Sequence, residues 1–515
     1  MANNNEYQLP KDFVHPGLPS RCTWKLGSTE KTVHSAHALN IDRPKTIPNI
    51  LSGIGFTPLV KLNKIPKSEG IQADLFVKVE FFNPGGSIKD RISVRMLEEA
   101  ENKGLLKSGM TVIERSSGNS GIGLAMACAV KGYKCLIVMP DRMSNEKVYV
   151  MKALGATIIK TPADAEFGTK DYVINVAQRL NKEIENSIVL DQFRNSGNPL
   201  AHYDGTAEEI LWQMDNKIDA VVIGAGTGGT IAGIGRKIKE KLPSCKVVGL
   251  DPFGSYLAHP EELNKTDVKS FEVEGIGYNF ASTVLDRSVV DEWIKVADDE
   301  AFQMARRLNK EEGILSGGSS GSAMVAALKA SKTLKAGQRV VVVLADGIRN
   351  YMTKYVSDNW MEARGFKEVV NEHNHWWWNH KVSELIAIST PAVVIDEKMT
   401  CQDAINLIKE KNVQFLPILR KETGKIVGVV TMEALTNEIV SHNVCVKSSV
   451  TKGMYKKVIK VTEDSIIGKV ARILEVEDFV LVLKTEDEKD EVIALLTRQD
   501  FLEYICQKPT NGVNH

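Results

Sequence analysis

The stretch DLFVKVEFFNPGGSIKDR, residues 74–91, decides the fold. DLFVKVE is a β-branched run of strand length, and two glycines and Ser87 follow it before Lys89. A strand that runs straight into small residues and then an amine carries a ligand loop at its carboxyl end. Lysine forms Schiff bases with aldehydes, and in a desolvated or cation-lined pocket it deprotonates near neutral pH to become a nucleophile. Lys89 therefore reads as a carbonyl-trapping lysine, ahead of loops able to hold a phosphate.

Outward from this stretch the rhythm repeats. TVIERSS (111–117), KCLIVMP (134–140), TIIKTP (157–162), SIVLDQ (187–192), AVVIGAG (220–226), KVVGLD (246–251) and RVVVVLAD (339–346) alternate with amphipathic helical stretches. The pattern predicts α/β with a mostly parallel sheet, its ligand loops gathered where the strands enter Ser116, Gly224 and Ala345. Residues 1–45, rich in Pro, Asn and His and without periodicity, read as an irregular arm, and residues 46–352 as the catalytic domain. Residues 353–384 lack strand rhythm and read as a packed linker. Their three adjacent tryptophans, Trp376, Trp377 and Trp378, cannot all face one side of an element.

Beyond the linker lies an internal repeat: VQFLPILRKETGKIVGVVTMEAL (413–435) matches EDFVLVLKTEDEKDEVIALLTRQDFL (477–502). Each copy, 385–445 and 446–510, reads as helix, strand, turn, strand, helix. Neither is large enough for a good core, so the two are expected to pack on each other.

Composition narrows the function. The 515 residues exceed one core, and 65 Lys+Arg balance 65 Asp+Glu, which leaves no broad electrostatic footprint for nucleic acid or anionic membrane. Seven scattered cysteines suit a reducing compartment, and no apolar run is long enough to span a bilayer; a soluble cytosolic protein is expected.

Four loops carry chemistry together. The first holds Lys89, and the aldehyde it suggests is pyridoxal phosphate. In SSGNSGIG, Ser116, Ser117, Gly118, Asn119 and Ser120 open a helix whose N–H groups suit a substrate carboxylate. In GAGTGGTIAG, Gly224, Gly226, Thr227, Gly228, Gly229 and Thr230 lie where a backbone can approach a phosphate closely. In ILSGGSSGSA, Ser319 stands in a glycine-lined turn before a helix. The third loop also satisfies Gly-x-Gly-x-x-Gly, with Asp251 closing the next strand, so a dinucleotide dehydrogenase competes. Such an enzyme has no use for the Lys89 and Asn119 loops.

The ordered set GGSIKDR, SSGNSGIG, AGTGGTIAG, EGIGY and SGGSSGS resembles the β-family, fold type II, of pyridoxal phosphate enzymes, over nearly the whole chain. The resemblance implies a two-subdomain parallel-sheet core followed by an α+β pair of CBS modules. It implies that Lys89 binds the cofactor aldehyde and moves the substrate α-proton, and that Asn119 bonds the ring oxygen. Gly226, Thr227, Gly228, Gly229 and Thr230 would cradle the phosphate, and Ser319 would bond the pyridine nitrogen. A neutral serine there leaves the ring a weaker electron sink than an aspartate would. Ser117, Gly118, Ser120 and Gln192 would hold the amino-acid carboxylate, while Gly275 and Tyr278 would line the pocket and help choose the nucleophile. The implied reaction joins L-serine and L-homocysteine into cystathionine and water, with hydrogen sulfide made from L-cysteine. Cysteine synthase or serine dehydratase activity is the alternative, and an inert adenosyl sensor a third reading.

RCTWKLG followed by a histidine resembles the haem-binding arm of animal members of this family. Cys22 would be the thiolate ligand and His34 the imidazole, with His37 as fallback and Arg236 as the cation beside the thiolate. In the second CBS module Thr497 and Asp500 match an adenosyl-ligand motif, S-adenosylmethionine being the ligand implied, with Val413 and Gln414 on the adenine side. The first copy has Ala434 where the acid would fall, and Phe415 replaces a small residue at the ligand edge, which leaves a structural or dimerising module open. Arg115 and Ala345 stand where family members often have proline, and Cys245 lacks the partner of a Cys-x-x-Cys. A catalytic homodimer is implied.

Overall fold

The computed structural model describes residues 11–15, 17, 20, 22–29, 37, 45–116, 118–140, 143–162, 165, 168–268, 270–371, 374–389, 391–440, 444–455, 458–486 and 489–507. The chain divides into two compact units, Met1–Val356 and Ser357–His515.

The first unit holds two sheets. Strands β1 (Leu59–Lys61), β2 (Asp74–Val79), β3 (Thr111–Arg115), β4 (Lys134–Pro140), β5 (Thr157–Thr161), β6 (Ser187–Val189), β7 (Ala220–Gly224), β8 (Lys246–Pro252), β9 (Glu292–Val296) and β10 (Arg339–Leu344) are shared between them. The larger has the order β1-β2-β10-β7-β8-β9, parallel except for β1 against β2. The smaller is wholly parallel in the order β5-β4-β3-β6. Parallel strands covered on both faces have no polar side, which is why Val340, Val341, Val342 and Leu344 are all buried.

Two cores result. One packs the helix Gly229–Lys241, through Ile231, Ile234 and Ile238, against Val221, Ile223, Val341 and Val343. The other packs Ile92, Met96 and Leu97 of the helix Lys89–Asn102 and Ile122 and Ala125 of the helix Asn119–Lys131 against Val112, Ile137 and Met139. No helix of the described residues is long and apolar enough to cross a membrane.

In the second unit, β11 (Ile395–Asp396), β12 (Phe415–Arg420), β13 (Lys425–Thr431) and β14 (Met454–Tyr455) form one sheet. A further sheet contains β15 (Lys460–Val461), β16 (Phe479–Glu486) and β17 (Lys489–Thr497). Helices Cys401–Lys411 and Met432–Val440 flank β12 and β13, and Ile467–Val476 and Arg498–Gln507 flank β16 and β17, so each copy is the helix–strand–strand–helix unit read from sequence. The two copies share an apolar seam of Ile426, Val429, Leu481, Leu483 and Leu495. Trp377 and Trp378 are buried with Val382, Val470 and Leu474, and Gly468 admits the Trp378 ring. Trp376, more exposed, stacks on Tyr504 of the same cluster.

Candidate active site

Lys89 is placed by the turn that follows β2. Gly86 adopts φ +84°, a conformation that costs glycine little, and Ile88 N–H donates to Ala345 O at 2.8 Å. The lysine is thereby held across from the loop leaving β10. Lys89 N–H donates to Ser87 Oγ at 3.2 Å as the helix begins.

The loops meet in one cleft. Lys89, Gly226, Thr227, Gly228, Thr230, Gly275 and Ser319 line it, together with Ile223, Ile276, Val343 and Ala345. Residues that follow β2, β7 and β10 therefore face one space with Gly275 and Ser319. The glycines are required by shape. A Cβ on Gly226 would come within 2.6 Å of Gly275 O, and one on Gly229 would overlap Asn198 Oδ1. Gly228 takes φ +89° at the start of the helix Gly229–Lys241, whose first N–H groups are without intrahelical partners. The side chains beside this turn are held in place. Asn198 Nδ2 donates to Thr227 Oγ1 at 2.9 Å, and Thr230 Oγ1 lies 3.1 Å from His202 Nε2. Burial, with the Lys89 and Arg91 cations, holds His202 well below its usual pKa, so its imidazole is neutral. Such a turn, closed to any Cβ and backed by neutral side chains, fits a phosphate.

Burial pulls the Lys89 ammonium down to about 8, with the Asp346 carboxylate opposing. Asp346 is itself raised by burial, against Lys147 and the hydrogen bonds from Tyr351 and Asn119. Its Oδ2 accepts from Asn119 Nδ2 at 2.7 Å and from Tyr351 OH at 2.5 Å. Asn119 Oδ1 in turn accepts from Asn350 Nδ2 at 3.1 Å. Lys147, almost wholly buried, donates to Glu274 Oε2 at 2.6 Å and to Tyr351 OH at 3.2 Å. A Cβ on Gly118 would overlap the Lys147 stem. A polar network thus runs from the Asn119 loop to Glu274, the residue before Gly275.

Sequence reasoning missed Asp346, Tyr351, Lys147 and Glu274. Asp346 carried a signal, since RVVVVLAD puts it two residues beyond a strand end facing the other loops. Lys147, in SNEKVYVMK, reads as an ordinary charged position on a helix.

The carboxylate-binding candidates form their own cluster. Ser120 Oγ donates to Gln192 Oε1 at 2.8 Å, and Gln192 Nε2 to Arg115 O at 2.8 Å. Ser117 lies outside the described residues. Tyr278 packs edge-on against Phe193 at 5.3 Å. Asp251, the acid of the dehydrogenase alternative, is fully buried. It accepts from Lys295 Nζ at 2.8 Å and from the N–H groups of Leu257 and Ala258 at 3.1 and 3.2 Å, so it faces no ligand space.

In the arm, Arg236 Nη1 donates to Cys22 Sγ at 3.3 Å, and the Arg236 guanidinium also stacks 4.7 Å from the Trp24 ring. His34 lies outside the described residues. His37 N–H donates to Asp204 Oδ2 at 3.3 Å. In the second unit Asp500 Oδ2 accepts from Thr497 N at 2.8 Å and Thr497 Oγ1 at 2.6 Å. Val413 is half-buried and Gln414 exposed at the edge of the first module. The neighbouring Phe415 lies with its ring 4.8 Å from that of Phe479.

A parallel α/β core that brings a half-buried lysine of lowered pKa to a glycine turn closed to any Cβ defines a pyridoxal phosphate enzyme. Residues 50–346 match the family model described as pyridoxal-phosphate dependent enzyme, and residues 382–441 and 446–507 each match the CBS domain. The chain is 49% identical over 503 residues to cystathionine beta-synthase of Apis mellifera, covering 97% of this chain and 99% of that one. It is 48% identical over 507 residues to cystathionine beta-synthase of Oryctolagus cuniculus, with 96% and 92% covered. Among solved structures, a hydrogen sulfide-producing enzyme from Fusobacterium nucleatum matches at TM-score 0.56 and 41% identity, covering 59% of this chain and 100% of that one. The chain belongs to the pyridoxal-phosphate dependent enzymes and, among them, to the cystathionine beta-synthase family.

Proposed function

We propose that the protein is a lyase that condenses L-serine with L-homocysteine to L-cystathionine and water, and releases hydrogen sulfide from L-cysteine as a side reaction. The observation that carries this reading is the single cleft shared by Lys89, the Gly226–Thr230 turn and Ser319, in a chain 49% identical along 97% of its length to a cystathionine beta-synthase. Bound pyridoxal phosphate supplies an electron sink for the substrate α-carbon.

The chain's own residues do the rest. Lys89 Nζ holds the cofactor and carries the α-proton, for which a pKa of about 8 is well matched to neutral pH. Gly226, Thr227, Gly228, Gly229 and Thr230 bind the phosphate, Ser319 bonds the ring nitrogen without protonating it, and Asn119, oriented by Asp346, bonds the ring oxygen. Ser117, Gly118, Ser120 and Gln192 hold the substrate carboxylate, while Gly275 and Tyr278 border the incoming thiol. Homocysteine is expected to accelerate serine consumption with cystathionine as product. Serine consumption indifferent to homocysteine would select the serine dehydratase or cysteine synthase alternative.

Cys22, with His34 or else His37, would hold haem iron, and the Arg236 cation 3.3 Å from Cys22 Sγ supports a thiolate there. The expected result is a Soret band in the purified protein that Cys22→Ser shifts. For the CBS pair, the Thr497–Asp500 contact and the position of Val413 and Gln414 support an S-adenosylmethionine site, while Phe415 against Phe479 supports a purely structural seam. Saturable heat on calorimetric titration with S-adenosylmethionine decides for the site. A cytoplasmic homodimer completes the reading.

A further inference from the structure

Arg115 ends β3, immediately before the Ser116–Ser120 loop, and the residue is 9% exposed. Among the described residues its Nε and Nη2 have no hydrogen-bond partner and no carboxylate forms an ion pair with it. Glu114, the adjacent acid, accepts instead from Asp191 N at 2.8 Å and Gln192 N at 3.4 Å. Glu114 and Asp191 act on the guanidinium only at longer range, with Tyr172, and what packs against it is aromatic. Its Cζ lies 3.3 Å from the centroid of Phe193, 5.6 Å from Tyr278 and 5.5 Å from Phe280. The three rings also touch one another, with centroids 5.3 to 5.6 Å apart.

A guanidinium largely removed from water, with no carboxylate in ion-pair contact, is held by the negative faces of rings. Those rings come from two segments that border substrate: Phe193 follows Gln192, and Tyr278 and Phe280 belong to the EGIGYNF loop. The main chain of Arg115 is tied to the same place, since its carbonyl accepts from Gln192 Nε2 at 2.8 Å. One residue therefore grips both the carboxylate side and the Tyr278 side of the cleft.

We infer that Arg115 is a positioning residue for the second substrate: its cation fixes the Tyr278 loop against the Gln192–Phe193 segment and so sets how the incoming thiol amino acid is received. This rests on the proposed role of Tyr278 at the nucleophile side. Removing the charge while keeping the stem, as in Arg115→Met, frees Tyr278. The KM for homocysteine then rises about tenfold while the KM for serine stays within about twofold. Arg115→Lys keeps the cation without the planar stack and recovers part of the loss.

The decisive measurement does not need turnover. In protein labelled with fluorotyrosine, the Tyr278 resonance, assigned by its loss in Tyr278→Phe, is expected to move in Arg115→Met and to return toward its place in Arg115→Lys. An unmoved resonance, or equal rises in the KM of both substrates, would overturn the inference. If the native protein does not join serine to homocysteine, the proposed reaction falls. The Tyr278 resonance then still decides whether Arg115 holds that loop. Should Arg115→Met fail to fold, Arg115→Lys alone reads the same resonance.

Discussion

Lys89→Ala lowers turnover by about a thousandfold or more, since it removes both the cofactor's anchor and the group that moves the α-proton. Steady-state assay with serine and homocysteine measures this. Borohydride treatment of the loaded native protein, followed by peptide mapping, is expected to leave the label on Lys89 and on no other lysine. The pH dependence gives a sharper form. Only the neutral amine attacks an aldehyde, and burial places Lys89 at about 8. About a tenth of the amine is then free at pH 7, against less than about a thousandth for an ordinary lysine. The rate at which cofactor-free protein takes up pyridoxal phosphate should therefore climb about tenfold per pH unit below 8 and level off above it. A climb that continues unbroken to pH 10 would show that the pocket does not depress this lysine.

Glu209→Ala destabilises the first unit by about 3–5 kcal/mol, because it strips a wholly buried charge network of one of its two anions. Glu209 Oε2 accepts from Lys78 Nζ at 2.7 Å and its Oε1 from Arg91 Nη1 at 2.6 Å, while Glu80 takes Arg91 Nε at 2.7 Å and Nη2 at 2.8 Å. Lys78 also donates to Thr57 O and the Gln213 amide oxygen, so every proton of its ammonium has an acceptor. Without Glu209 two buried cations share one carboxylate, and the midpoint of urea unfolding followed on this unit should fall accordingly. Burial pushes Glu209 up, but Arg91 and Lys78 outweigh it and hold the carboxyl at about 2. A depressed carboxyl contributes stability that is full above its unfolded value near 4.5 and is lost as pH falls toward 2. The difference between native and Glu209→Ala protein should accordingly shrink across that window and hold steady above it. Arg91 lies two residues beyond Lys89 on one helix, so the variant is also expected to release cofactor more readily.

In the larger sheet, the strands that sequence patterning found are the inner ones, covered on both faces. RVVVVL and AVVIG have no polar side to confuse the pattern, and both are central in the larger sheet. The two strands of that sheet it passed over lie at its edges. Leu59–Lys61 is three residues long, and EWIKV sets its two charges three residues apart, a spacing that a helix surface shows equally well. The tryptophan run, read as linker, supplies Trp377 and Trp378 to the core of the second unit. No local pattern could have told a covering role from a core one.

Glycine turns, the lysine and the helix starts were legible in the chain because they are local. A phosphate needs close backbone and an aldehyde needs an amine, and each requirement falls within a few consecutive residues. Sequence by itself determined the fold class, the repeat and the identity of the loops. Tertiary structure alone decided which charges those loops face. Asp346 meets Asn119 and Tyr351, Lys147 meets Glu274, and Arg115 meets three rings from two distant segments. Burial sets a charged group's pKa and partner, and burial is a property of the packed chain; the pattern that places Lys147 on a helix surface is the same whether that surface is covered or wet.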